Sequence, residues 1–241
     1  MATTDIETKI AKLLAKAEGT TNAHEAEAFM AQAEKLMLKY GIDQANLEAT
    51  KPGAAKQEVV VVTVPVPDGH GYAIALVALA TYIAPNFSVR MLQSAMPKNG
   101  KMLWFIGHRS DVDDAIRLFN SLSVQGIAQA KHWWRTEGKP GFLWVQPTDN
   151  DAYLARREFI YAFGRGAGSR LAETRNQVVA EAGAGTELVL VDRAKLVDNW
   201  IDRNLQVSQG RKTTRRTGVA EARSAGYESG RNAVNGKALG R

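Results

Sequence analysis

Apolar residues recur along the first forty positions at the spacing of a helix face. Ile6, Ile10, Leu13, Leu14 and Ala17 follow the i, i+4, i+7, i+8 rule, which lines one side of a helix. Gly19-Thr20-Thr21 breaks the pattern. Asn22 with Glu25 three residues on has the form of a capping box. Phe29, Met30, Ala33, Leu36, Met37 and Tyr40 then carry a second stripe, which Gly41 is expected to end as a C′ glycine. A helical hairpin over residues 5–40 is too short to hold a core of its own, so it must dock on something. The Ala49–Lys56 stretch, with Pro52-Gly53, reads as the linker that lets it do so.

Beyond the linker the period changes. Gln57–Val66 is β-branched nearly throughout and reads as a strand, ended by Pro65, Pro67 and Asp68-Gly69. Tyr72–Ala84 is apolar all round, as a short helix buried on most sides would be. Phe87–Gln93 and Lys101–Gly107 alternate and meet across Pro97-Lys98-Asn99-Gly100, where Asn-Gly favours positive φ, so a β-hairpin is predicted. Ser110 with Asp113 is placed to cap a long helix whose Val112, Ile116, Phe119, Gly126, Ala130 and Trp133 share a stripe, with Gly138–Gly141 ending it. A second long helix follows, from about Asn150 to Ala182. Glu187–Val191 reads as a short strand, and Asp192 as the cap of a last helix carrying Leu196, Val197, Trp200 and Ile201. The order argues for an α+β fold: an N-terminal helical hairpin on a small, mostly antiparallel sheet with a central β-hairpin, covered by long helices. The expected division is 1–45 hairpin, 46–56 linker, 57–207 α+β core and 208–241 basic, Gly-rich tail.

Charge sharpens this picture. From Ile201 to Arg241 there are nine Lys and Arg against three Asp and Glu, a local charge of +6, and the whole chain of 241 residues also carries +6. A balanced body with one basic end reads as a folded module with an arm that attracts polyanions or acidic protein faces. The chain has no cysteine, which excludes disulfides and thiolate metal sites and suits a reducing cytoplasm. Its longest apolar run, Tyr72–Ala84, falls short of the roughly 20 residues that span a bilayer, and the first residues lack the basic and apolar regions of a signal peptide. A soluble protein in the cytoplasm is the expectation.

No catalytic constellation stands out. His24, His70, His108 and His132 have no HExxH or HxH spacing, so no metal site or other cofactor is expected. Asp111, Asp113 and Asp114 occupy the first turn of a helix, where the macrodipole favours acids. Gly164-Arg165-Gly166-Ala167-Gly168 lacks the flanking strand and Gly-Lys-Ser/Thr of a phosphate loop. Close helix packing explains it better, with Arg165 and Arg170 on the opposite side.

Two clusters suit contact with another macromolecule. Lys131-His132-Trp133-Trp134-Arg135 mixes cations with aromatics, and one tryptophan already completes the apolar stripe. The other, with Arg135, is free to anchor a protein partner or stack a base. The run Arg211, Lys212, Arg215 and Arg216 would steer association electrostatically, through phosphates or an acidic protein face. Past it, Gly218, Ala222, Gly226 and Gly230 recur every four positions, so a helix here presents a flat stripe of close approach, unless the tail is a solvated extension.

Three segments resemble a known family. Lys9-Ile10-Ala11-Lys12-Leu13-Leu14-Ala15-Lys16-Ala17-Glu18, Asn22–Ala28 and Leu36-Met37-Leu38-Lys39-Tyr40-Gly41-Ile42-Asp43 resemble the N-terminal domain of unknown function 2786, found in actinobacteria and their phages. Glu158–Leu171, Leu188–Arg193 and Ala225–Arg231 are similar to the downstream parts of those proteins. Size and pattern also resemble the recombination directionality factors of Streptomyces-type phages, which bind a large serine integrase on DNA and turn it from integration to excision. That resemblance implies a regulator without an active site, whose partner is a protein. A direct DNA- or RNA-binding protein of phage replication or annealing is the alternative.

Overall fold

The computed structural model describes residues 2–50, 58–68, 71–139, 147–208 and 219–232. Helices α1 (Ala2–Gly19) and α2 (Ala23–Thr50) form the hairpin that the apolar spacing predicts. The Asn22 carboxamide accepts from the backbone N–H groups of His24 and Glu25 at 3.0 and 3.4 Å, and caps α2. Gly41 does not end α2. A side chain at that position would meet Asp111 Oδ1 at 3.3 Å, so the glycine admits a neighbouring helix while α2 continues through Ile42 and Ala45. Residues 46–50 of the expected linker are therefore helical, and 51–57 lie outside the described residues.

Strands β1 (Val59–Val66), β2 (Arg90–Ala95) and β3 (Lys101–His108) make an antiparallel sheet in the order β1-β3-β2. Val62 pairs with Phe105 and Met91 pairs with the same phenylalanine from the other side, so one face of the sheet points at the core. The β2–β3 turn forms where Asn-Gly predicts it, but positive φ falls on Lys98 and Asn99, one position earlier than Asn99-Gly100. Between β1 and β2 run α3 (Ala73–Ile83), buried along seven of its positions, and a 3-10 turn over Ala84–Phe87.

Two long helices complete the core. Helix α4 (Arg109–Trp133) ends in a π-helical turn, Trp134–Gly138. Ser110 and Asp113 do not cap it: the helix starts at Arg109 behind an extended His108, and Asp113 pairs with Arg109 at 2.8 Å. Helix α5 (Asp149–Ala182) starts with a capping box made by Thr148 and Asp151. Phe105, Leu79, Leu118, Leu122, Ile160 and Phe163 are fully buried where α3, α4, α5 and the sheet meet.

The predicted strand at Glu187–Val191 is the first part of helix α6 (Thr186–Asn204). Thr186, Leu190, Arg193 and Val197 are its buried positions, a helical spacing that the four apolar residues of Leu188–Val191 cannot distinguish from a buried strand. Asp192 lies inside this helix and pairs with Lys195 at 3.2 Å instead of capping. Part of the expected tail is also built into the fold, as helix α7 (Ala220–Asn232). Its buried Ala222, Gly226 and Gly230 pack on α5, and a Cβ at Gly226 or Gly230 would collide with the carbonyl of Phe159 or Phe163. Gly166 on α5 answers with an equally close approach to Tyr227. Close packing is thus the use of both glycine series. Arg165 stays exposed over the Tyr227 ring, 5.4 Å from its centroid. Arg170 does not project to the far side: it is bound to Glu34 of α2 and donates to the carbonyls of Gly230 and Arg231 at 2.7 and 3.0 Å.

Candidate functional site

The sequence placed its contact residues on Trp133, Trp134 and Arg135 and on Arg211, Lys212, Arg215 and Arg216. Both indoles are inside the protein, at 6 and 7 % exposure, which corrects the expectation that one of them is a surface anchor. Trp133 packs at 5.6 Å on Phe159 of α5 and at 6.4 Å on Trp134, and Gly138 leaves room for both rings. Consecutive helical residues lie about 100° apart, so the two indoles are covered from different directions: Trp133 faces Phe159, and Trp134 opens the π-helical turn beside it. Arg135 alone of the three faces solvent. Arg211, Lys212, Arg215 and Arg216 lie outside the described residues.

The structure instead gathers charge around α6. Arg193, buried on its inner face, donates to Asp111 Oδ2 of α4 at 2.9 Å and to Glu48 Oε2 of α2 at 2.6 Å. One guanidinium therefore ties the hairpin, the core and α6 together. Beside it Asp114 accepts from Arg117 at 2.8 Å. Burial pushes the Asp111 carboxyl up to about 6, against the opposing pull of Arg193. It pushes Asp114 up to about 7, with Arg117 opposing and Asp111, Glu7 and Asp113 adding to the rise. Gly41, Asn86, Ser88, Arg175 and the two aspartates line a cavity of about 20 Å³. That volume is close to what one water needs, and the charged groups around it join three helices.

Outside that joint α6 exposes three large apolar side chains to solvent. Leu188, Val191 and Leu196 are 64, 43 and 47 % exposed, three of the seven large apolar side chains exposed among the described residues. They lie on the side of the helix away from Leu190 and Val197, with the exposed Asp192–Lys195 pair among them. Sequence reasoning missed this face because it assigned Leu188 and Val191 to a strand. The apolar spacing carried no clear signal for it, because two of the four inward positions, Thr186 and Arg193, are polar. Among the described residues no group of three His, Asp or Glu is placed to hold a metal ion, and no helix is long and apolar enough to cross a membrane.

Fold and site together define a helix-rich α+β protein in which an N-terminal hairpin is locked to the core by buried ion pairs and a neighbouring helix exposes several large apolar side chains. Residues 6–44, the hairpin itself, match the model of a family described as protein of unknown function (DUF2786). No curated protein and no solved structure matches the chain.

Proposed function

We propose that the chain is a non-enzymatic accessory protein of phage type, a recombination directionality factor that binds a DNA-bound large serine integrase and promotes excision over integration. The observation that carries this reading is the group of exposed Leu188, Val191 and Leu196 around the Asp192–Lys195 pair, on a helix fixed by the Arg193 ion pairs. Apolar surface displayed on a fixed helix favours a protein partner, because covering it gains about 25 cal/mol per Å² and little ordering cost opposes the gain. The resemblance in size and pattern to recombination directionality factors supplies the choice of partner, and the cations of the 211–216 run suit a protein that works beside DNA. Directionality then follows from differential affinity. Binding that favours the excisive arrangement of the integrase by ~3 kcal/mol changes the ratio of arrangements more than a hundredfold.

The test is a reconstituted recombination assay with a large serine integrase and paired attachment-site DNA. Excision is expected only when the protein is present, and Leu188→Asp with Leu196→Asp should abolish the stimulation without unfolding the chain. A gel-shift experiment separates the second reading, direct nucleic-acid binding, which the 211–216 run favours. Salt-sensitive retention of DNA by the protein alone supports that alternative, and retention only through integrase supports the first.

A further inference from the structure

The exposed seam of the hairpin is a second surface with chemistry of its own. Lys9 of α1 and Lys35 and Lys39 of α2 rim an open groove of about 450 Å³ whose floor, Ala31 and Leu36, is mostly apolar. The seam continues toward the hairpin turn, where Lys16 of α1 lies over the ring of half-buried Phe29 at 5.3 Å. Lys9 and Lys16 are seven residues apart, so they stand one above the other along the seam. Four ammonium groups thus border a strip of apolar surface about two to three helical turns long. Acids stand only near its ends, Asp5 and Asp43 at one and Glu25 at the other, together with Glu181, which meets Lys35 at 2.9 Å. That pair is half-exposed on both sides, and a competing carboxylate can replace it at little cost.

We infer that this seam is a docking groove for an acidic amphipathic helix of a partner protein. The inference names the partner's chemistry and rests on the reading of the chain as a protein-binding factor. A groove between two antiparallel helices accepts a third helix by ridge-into-groove packing, as in a small bundle. The floor asks for leucine-like side chains at i, i+3, i+4 and i+7, and the rim asks for Glu or Asp beside them. Nucleic acid fits less well. A phosphate backbone would satisfy the lysines but would leave the Leu36 and Phe29 surface uncovered, with no gain from its burial.

Fluorescence anisotropy with the full chain and three labelled probes decides the matter. The first probe is an amphipathic peptide of about five turns, with Leu on one face and Glu flanking it. The second carries Lys for each Glu, and the third is a short DNA duplex. The acidic peptide is expected to saturate. Lys9→Glu with Lys39→Glu should weaken it at least tenfold and let the Lys peptide bind in its place. Both lysines are exposed, so an unchanged thermal melt is the folding control. Reversing Arg211, Lys212, Arg215 and Arg216 should leave peptide binding as it was, and Ser for each Leu in the peptide should abolish it. No saturable binding, an unaltered affinity in the double variant, or displacement of the peptide by DNA at equal concentration would overturn the inference. Integrase is absent from this assay, so its failure leaves the recombination test standing, and the converse holds.

Discussion

Gly230 of α7 rests directly on the backbone of Phe163 in α5, with no space for even a methyl group between them. Gly226 repeats the contact one turn earlier against Phe159, so the two helices touch main chain to main chain. A segment that composition alone describes as a basic tail is therefore fastened to the longest helix of the core. Arg170 completes the joint by donating to the last carbonyls of α7 while paired with Glu34.

Replacing Gly230 or Gly226 by Ala should push α7 away from α5. The loss expected is about 2 kcal/mol or more, since backbone cannot yield as a side chain does. In a chain of this size that lowers Tm by several degrees, and hydrogen exchange should show α7 losing protection while α4 keeps it.

Arg193→Ala removes the shared partner of Asp111 and Glu48 and leaves two carboxylates unpaired, one of them buried. Chemical denaturation should report a loss of about 3 kcal/mol. The same change should loosen α6 and so weaken any partner that reads its Leu188–Leu196 face.

The two aspartates of α4 make stability depend on pH in a direction opposite to that of exposed ion pairs. Asp111 and Asp114 titrate at about 6 and about 7 in the folded chain, above the ordinary 3.8, because burial disfavours their charged forms. The folded state therefore holds more protons than the unfolded one across that interval. Their contribution is fully present below about pH 4 and is lost as pH rises through about 7. Asp114→Asn should raise the denaturation midpoint at about pH 8 and flatten the profile between about pH 5 and 8. An unchanged profile would show that Asp114 is not a source of it.

Trp133→Ala and Trp134→Ala should each act on stability first, costing about 3 kcal/mol or more through the cavity left beside Phe159 in the first case and beside Trp133 in the second. Both indoles should emit at short wavelength in the native state, as rings shielded from water do. Arg135→Ala, at an exposed position, should leave the melt unchanged.

The elements with a long, single period were legible. The stripe from Ile6 to Ala17, the capped 34-residue α5 and the strand pair around Asn99 all stand where their pattern puts them, because local chemistry and tertiary packing agree there. Errors fall where packing overrides a local rule. Gly41 looks like a helix stop and is instead a gap for Asp111. Leu188–Val191 looks like a strand, and α6 finds its partners on α2, where Ile42 and Ala45 meet Leu190. The acids of α4 look like macrodipole complements, yet Asp111 and Asp114 turn inward to arginines that lie 82 and 3 residues away.

By itself the sequence determined the α+β class, the helical hairpin, the β2–β3 turn and the close packing of the α5 glycines, and it left the small residues of α7 open between a packed helix and a solvated tail. These are set by neighbours within a turn or two of chain, where periodicity and turn chemistry suffice. Only the tertiary structure decided which aromatic and charged groups are available to a partner. Exposure depends on what arrives from distant sequence: α5 buries the indoles, and Arg193 binds Asp111 while its helix turns Leu188, Val191 and Leu196 outward.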